Sequence, residues 1–298
     1  MSHPHQIPAI VLAAALWLTL AMPSAAAEPE GIPTRGAGST NWASSWEWAF
    51  VTGNGRMGAM VFGHPMNETI FGNHARLFLP LGSREIVPDL GAHLPEVRRI
   101  IRDKGYNAAF QFMENKAREQ GWNGLVWTDR FHPGFELKIR MNQASGVLDR
   151  ITDYLRTEDF QTGEVAVRWS DADGPWQRRL FVSRPDNLLV LSITGPGNGR
   201  VNHELAMPPI PHQLIRSEQH TDAGWITAHN TYVKGKGGYD SVLRVVNRGG
   251  HITSDGQKVV VTEVDEVLVL GRIEPWKTPL PTVKPGPILQ RTRSLRAA

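Results

Sequence analysis

VAVRWSDADGPWQRRLFV, residues 165–182, is the stretch that decides the fold. Apolar and polar residues alternate on both sides of a Ser-Asp-Ala-Asp-Gly-Pro turn, which is typical of two half-buried strands joined as a hairpin. The alternation directs Val167, Trp169 and Leu180 to the core, and it places the charged Arg178 on the same side. The stretch therefore predicts a strand pair that buries one face.

The same period of two recurs along much of the chain. It predicts further strands at residues 135–141, 188–193, 201–207, 225–228, 241–246, 258–262 and 264–270. Short strands at this spacing, without intervening helices, predict a mainly β fold, a large two-sheet antiparallel β-sandwich or super-sandwich. Residues 94–120 are the exception, since their apolar residues recur at helical spacing. Gly105 is expected to end a first helix and Asn107 to cap a second, which gives a short helical insertion.

The composition of the 298 residues excludes several classes of protein. There is no cysteine, so disulfides, thiol nucleophiles and cysteine-bound metals are excluded. The formal net charge is only +3 and the basic residues are scattered, which is too weak an argument for a nucleic-acid partner. Hydrophobic residues make up 41% of the chain, which is enough for a core held by packing alone.

The N-terminus has the pattern of a secretory signal. An apolar run at residues 9–22 is followed by Ala25-Ala26-Ala27, a small-residue cleavage site. We predict a signal peptide at residues 1–27 with cleavage near Ala27, and hence a secreted or periplasmic protein with no membrane span after cleavage. An uncleaved N-terminal anchor is the alternative.

The remaining chain divides into three parts. Residues 28–41 are rich in Gly, Pro and Ser and are expected to form a flexible leader. Residues 42–272 carry the strand and helix patterns and form the folded domain. Residues 273–298 contain five prolines, so we predict a Pro-rich disordered tail or a truncated linker.

Four segments of the folded part resemble a known family. They are GNGRMGAMVFG at residues 53–63, the helix pair at 94–120, DYLRTEDFQTG at 153–163 and RLFVSRPD at 179–186. In this order they are similar to the N-terminal domain of glycoside hydrolase family 95, whose members are similar to α-L-fucosidases and α-L-galactosidases. The resemblance covers residues 42–272.

The resemblance implies a non-catalytic domain. Family members continue into an (α/α)6 barrel that carries the general acid and base, and this chain lacks it, so no catalytic residue carries over. The chain is therefore expected to be a truncated fragment that is inactive alone, without cofactor or metal, and to meet carbohydrate (fucosylated or related glycans) through the missing catalytic domain. The candidates for lining the wall of a substrate site are Asn54, Arg56, Asn73, His74 and Arg76. Residues 71–80 keep the loop asparagine of many members, Asn73, without the acid that follows it, and this departure weakens a fucose assignment.

Two other functions remain open from sequence, a stand-alone carbohydrate-binding or structural module and a small hydrolase. Hydrolysis needs two carboxylates flanking one sugar. The candidate acids are Glu158, Asp159, Asp171, Asp173, Glu263, Asp265 and Glu266. Most of them are expected in turns, where a solvated face explains them better. Trp42, Trp46 and Trp48 are expected to fill a core or a domain interface, although a sugar platform is the alternative.

Two motifs are interpreted as structural. Gly53, Gly55 and Gly58 match the dinucleotide fingerprint, but a strand rather than a helix follows, so the glycines are assigned to a tight turn. The histidines have no metal-ligand spacing.

Finally, a domain without its barrel should expose an apolar patch near the Gly-rich segment and Trp122–Trp127, through which the chain would self-associate.

Overall fold

The computed structural model describes residues 31–80, 88–122, 129–142, 150–197, 199–234 and 236–276. The strands are β1 (Gly36–Ser39), β2 (Phe50–Gly53), β3 (Met57–Val61), β4 (Asn67–His74), β5 (Phe78–Leu79), β6 (Arg130–Phe131), β7 (Phe135–Met141), β8 (Thr152–Asp159), β9 (Glu164–Asp171), β10 (Gly174–Ser183), β11 (Leu188–Thr194), β12 (Val201–Ala206), β13 (Ile215–Asp222), β14 (Trp225–Tyr232), β15 (Gly238–Arg248), β16 (His251–Asp255), β17 (Lys258–Val264) and β18 (Glu266–Trp276). The helices are α1 (Leu94–Lys104) and α2 (Tyr106–Glu119), and short 3-10 turns lie at Trp46–Trp48 and Gly91–His93.

Two large antiparallel sheets form the domain, which confirms the predicted sandwich. The first has nine strands in the order β1-β8-β9-β10-β11-β18-β15-β14-β13, and the second has seven in the order β16-β17-β12-β7-β4-β3-β2. A small third sheet pairs β5 with β6. Because each large sheet has an alternating sequence, its inward side chains form one continuous core between the sheets.

The hairpin that decides the fold is formed by β9 and β10. The side chains of Val167, Trp169 and Leu180 are each 1% exposed, so the predicted inward parity is confirmed. Arg178 follows the same parity and is also buried. The indole rings of Trp169 and Trp176 stack within this core, with centroids 5.9 Å apart.

The helical insertion consists of two consecutive helices, as predicted. Gly105 separates them with a φ of +85°, a conformation that favours glycine. Gly105 also occupies the N-cap position of α2, so the prediction that Asn107 caps it was wrong. Val97, Ile100 and Ala109 form a small apolar cluster between the helices. Neither described helix has the length and hydropathy that a membrane span requires.

The predicted leader contains a strand. β1 lies within residues 28–41 and pairs with β8, from Gly36 opposite Asp159 to Ser39 opposite Arg156. The carbonyl of Arg35 also accepts a hydrogen bond from the amide of Phe160 at 2.9 Å. The sequence GAGS has no alternating pattern, so its order comes from the neighbouring strand rather than from its own residues.

The folded domain extends beyond the predicted end at residue 272. β18 continues to Trp276, and Ile273 is fully buried in the core. Pro275 lies beyond Gly271, the last residue that pairs with β11, and is opposite Tyr239 of β15. Proline is tolerated there because only one side of the strand is paired. The predicted signal peptide and the rest of the predicted tail, 277–298, lie outside the described residues.

Other strands were missed or placed wrongly from the sequence. Residues 71–80, expected to form a loop, belong largely to β4 and β5. β13 and β16 were not predicted, because their exposed residues hide the alternation: β13 has a single buried residue, Ile215, and β16 has none.

Candidate functional site

A tight turn joins β2 to β3 at the Gly-rich segment. Gly55 has a φ of +90°, in the left-handed region that glycine adopts readily. The side-chain Oδ1 of Asn54 accepts hydrogen bonds from the amides of Arg56 and Met57, both at 2.9 Å. A strand follows this turn directly, so the glycines serve the hairpin and the dinucleotide interpretation is excluded.

The other end of the Asn54 side chain ties this turn to the opposite sheet. Its Nδ2 donates to the carbonyl of Ser183 at 2.8 Å and to Oδ1 of Asn187 at 3.0 Å. The amide group of Asn54 therefore has both ends engaged inside the protein. The neighbouring Arg56 is exposed, and Asn54 fixes the turn that carries it.

A buried histidine lies beside the turn, at the end of β4. The amide of Ala75 donates to the carbonyl of Arg56 at 2.8 Å, and Nδ1 of His74 accepts a hydrogen bond from the amide of Arg76 at 3.1 Å. Burial lowers the pKa of His74, the positive charges of Arg56 and Arg76 lower it further, and Glu274 opposes them. His74 is therefore neutral at pH 7. We call Arg56, His74 and Arg76 the arginine rim.

Asn73 lies on the other face of the seven-stranded sheet. Successive residues of a strand point to opposite faces, and in the ladder Asn73 is opposite Gly58 while His74 is opposite Met57. His74 and Met57 are buried, whereas Asn73 is half-buried. The structure therefore brings together Asn54 and the arginine rim, and it separates Asn73 from them.

A row of ionisable side chains crosses four strands of the nine-stranded sheet. The row consists of Glu218, His229, Asp240 and Glu274, each opposite the next in the ladder. Nδ1 of His229 is 2.6 Å from Oδ1 of Asp240, and the His229 ring stacks on the indole of Trp276 at 5.1 Å. Burial raises the pKa of Asp240, and the contact with His229 opposes this rise. Glu274 accepts a hydrogen bond from Arg272 at 3.0 Å.

This row was not predicted from the sequence, because two of its residues lie just beyond the predicted strand ends. Predicted strands began at residue 241 and ended at residue 270, so Asp240 and Glu274 fell just outside them. Both residues continue the outward parity of their strands, and extending the alternation by a few residues would have found them.

The family model of the glycosyl hydrolase family 65 N-terminal domain matches residues 38–274, the span from β1 to β18. The chain belongs to this family. The match supports the expected N-terminal domain of a glycoside hydrolase, and it gives family 65 where the sequence motifs suggested family 95.

The other two comparisons add little to this assignment. Among solved structures, "Putative kojibiose phosphorylase from human microbiome" is similar with a TM-score of 0.36 and 11% sequence identity. The similarity covers 54% of this chain and 24% of that chain. A search of the curated proteins finds no match.

The acids considered for catalysis in this family 65 domain are held mainly at turns and strand ends. Oδ1 of Asp171 accepts a hydrogen bond from the amide of Asp173 at 2.8 Å, and Oδ2 accepts one from Nε1 of Trp176 at 2.8 Å. Oδ1 of Asp265 accepts one from the amide of Gly199 at 2.7 Å. These contacts confirm for Asp171 that its side chain makes local bonds in the hairpin turn, as the sequence predicted.

The histidines of the family 65 domain lie in separate surroundings. Within the described ranges, no group of three His, Cys, Asp or Glu side chains could hold a metal ion. His203 is fully buried, with its ring 6.0 Å from that of Trp176. Burial, with a smaller contribution from Arg178, lowers the pKa of His203 to about 3, so this ring is neutral at pH 7.

Exposed aromatic side chains lie next to the Gly-rich hairpin of the family 65 domain. Trp46 and Trp48 are 64% and 68% exposed, so the expected burial of these indoles is not found in this chain by itself. Val51 of β2 is also exposed. Trp122 is half-buried, and Trp127 lies outside the described residues. Self-association through this surface stays a prediction, which sedimentation velocity of the purified chain would test.

Proposed function

We propose that this chain serves carbohydrate degradation outside the cytoplasm as a non-catalytic N-terminal domain. The observation that carries the proposal is the family match, which runs from residue 38 in β1 to residue 274 in β18. Export rests on the signal-like sequence before it. Catalysis is assigned to a separate domain or partner, and this chain contributes surface to the substrate site.

The arginine rim is the surface we assign to that role. Arg56 and Arg76 are exposed, and the backbone on either side of them is fixed by Asn54 and His74. A guanidinium group offers several hydrogen-bond donors in one plane, which suits the hydroxyl and acidic groups of a glycan. His74 adds no charge at neutral pH, because its pKa is lowered.

The finer part of the proposal concerns the substrate. The four segments similar to family 95 suggest fucosylated or related glycans. Asn73 is separated from the arginine rim, so it is not part of the proposed wall.

A gene deletion in the source organism tests this function. We expect the secreted fraction of the deletion strain to release less L-fucose or L-galactose from α-L-linked glycans than that of the parent strain. Complementation with the native gene should restore the rate. Complementation with Arg56→Ala/Arg76→Ala should restore it only in part, while the matched double variant Arg179→Ala/Arg216→Ala, with exposed arginines on other strands, should restore it fully.

The outcomes separate the proposal from its alternatives. An unchanged release rate after deletion would overturn a role in degrading these glycans. Full restoration by the rim variant would overturn the wall assignment. A stand-alone carbohydrate-binding module is the second candidate, favoured by the exposed indoles of Trp46 and Trp48, and it predicts that deletion lowers glycan binding by the cells while hydrolysis of soluble substrates stays unchanged.

A further inference from the structure

A cavity of about 750 Å³ opens at the nine-stranded sheet, where β8, β9, β10 and β11 lie side by side. Its volume is within the range of small-molecule sites, roughly 300–1,000 Å³. The residues that matter for its chemistry are Asp153, Arg168, Gln177 and Thr194. None of them belongs to the arginine rim or to the row formed by Glu218, His229, Asp240 and Glu274.

An irregular strand shapes one side of the cavity. The pairing of β8 with β9 shifts register between Thr152 and Leu155. Asp153 lies in this bulge with a φ of +54°, in the left-handed region that residues with a side chain seldom adopt. Bulges and such conformations redirect side chains and are concentrated at functional sites. Asp153 is exposed, and its Oδ2 accepts a hydrogen bond from the hydroxyl of the adjacent Thr152 at 3.1 Å.

Three polar side chains form a row across the neighbouring strands. Arg168 of β9 is opposite Gln177 of β10, which is opposite Thr194 of β11, so all three share the outer face of the sheet. All three are half-buried. In the part of the chain that the structure describes, the side chains of Gln177 and Thr194 make no hydrogen bond, and Arg168 makes a long one of 3.3 Å to the carbonyl of Gly31.

We propose that this cavity is a carbohydrate-binding subsite of the domain. Its wall combines a guanidinium, a carboxylate, an amide and a hydroxyl, which together can donate to and accept from the adjacent hydroxyls of a sugar ring. The charges of Arg168 and Asp153 offset each other, which favours a neutral polyhydroxy ligand over a phosphate or another anion. The inference rests on the proposed role in carbohydrate degradation, and it adds a site that holds glycan away from the arginine rim.

Calorimetric titration of the purified chain tests the subsite. The probes are L-fucose, D-galactose and D-glucose, with sodium phosphate as the anionic control. We expect saturable binding of at least one sugar below about 10 mM and none of phosphate. Arg168→Ala and Gln177→Ala should each weaken this binding about tenfold, the loss of one or two hydrogen bonds. The matched control is Arg179→Ala, because Arg179 lies on the same outer face two positions from Gln177 and does not line the cavity.

Circular dichroism of each variant checks that it is folded. If Arg168→Ala does not fold, Gln177→Ala tests the subsite in its place. Absence of saturable binding for all three sugars would overturn the proposal. So would binding of phosphate alone, or equal weakening by Arg179→Ala. The gene deletion tests the proposed function separately. If no sugar binds but the deletion lowers the hydrolysis rate, only the subsite is refuted. If the hydrolysis rate is unchanged, the proposed function is refuted and the titration result still stands.

Discussion

Glu68 of β4 and Arg178 of β10 form an ion pair between the two sheets, with Nη1 and Oε2 3.2 Å apart and the side chains 0% and 2% exposed. Arg178 also donates to the carbonyls of His64 at 2.9 Å and Pro65 at 2.6 Å. Burial raises the pKa of Glu68, and Arg178 together with backbone amides opposes this rise. The pair therefore ties the sheets together only while both partners are present.

Removing one partner should destabilise the domain strongly. We expect Arg178→Met to lower the free energy of unfolding by about 3–5 kcal/mol, because Glu68 is left as an unpaired buried charge. Urea unfolding followed by tryptophan fluorescence measures the change. Arg179→Met is the matched control, since the pair of Arg179 with Glu164 is exposed and should contribute less than about 1 kcal/mol. Equal effects of the two variants would show that the buried pair does not hold the sheets.

A second prediction follows from the register of the β9–β10 hairpin. Leu180 is 1% exposed, so Leu180→Ala should cost about 2–5 kcal/mol of unfolding free energy through lost transfer energy and a cavity. The adjacent Phe181 faces outward and is 37% exposed, and Phe181→Ala should cost clearly less. A change of only a few tenths for Leu180→Ala would mean that the register of β10 is wrong.

The success of the sequence prediction at this hairpin has a physical reason. Val167, Trp169 and Leu180 make the buried face of this hairpin apolar, so alternation alone predicts its two strands. β1 and β13 lack this signal. β1 is ordered by pairing with β8, which is distant in the sequence, and β13 has a single buried residue. For the site, the family resemblance placed Arg56 and His74 at one substrate wall. Alternation could place Asp240 on the outer face of its strand, but its contact with His229 also depends on the register of the two strands.

The Gly-rich turn is assigned a structural role through Asn54 and a substrate-wall role through Arg56, and mutation can separate the two. Asn54→Ala should lower the unfolding free energy by about 1–3 kcal/mol, because it leaves turn amides and the Ser183 carbonyl without their partner. Arg56→Ala, two residues away and exposed, should change it by less than about 0.5 kcal/mol. Thermal and urea unfolding of both variants provide the comparison. A large loss from Arg56→Ala would identify it as a structural residue and remove it from the proposed wall.

The buried His203 should make stability depend on pH. Its pKa is about 3 in the folded protein, below the ordinary value near 6.5 of an unfolded chain. Between these values the unfolded state binds a proton that the native state does not, so stability is lost as the pH falls from about 6.5, by up to about 1.4 kcal/mol per pH unit. His203→Phe should remove this component between pH 6.5 and 5. His220→Asn, at an exposed position, should leave it unchanged, and an identical pH slope in wild type and His203→Phe would contradict the assignment.

The central claim is that this chain assists glycan degradation without catalysing it, and purified protein tests it most directly. We expect no release of aryl leaving group from aryl α-L-fucosides, α-L-galactosides or α-D-glucosides above the uncatalysed rate, because the general acid and base are assigned elsewhere. Asp240 and Glu274, opposite each other in the ladder, are the carboxylates to test if turnover is found. Turnover by folded, pure protein that disappears in Asp240→Asn or Glu274→Gln would contradict the account and make the chain an enzyme.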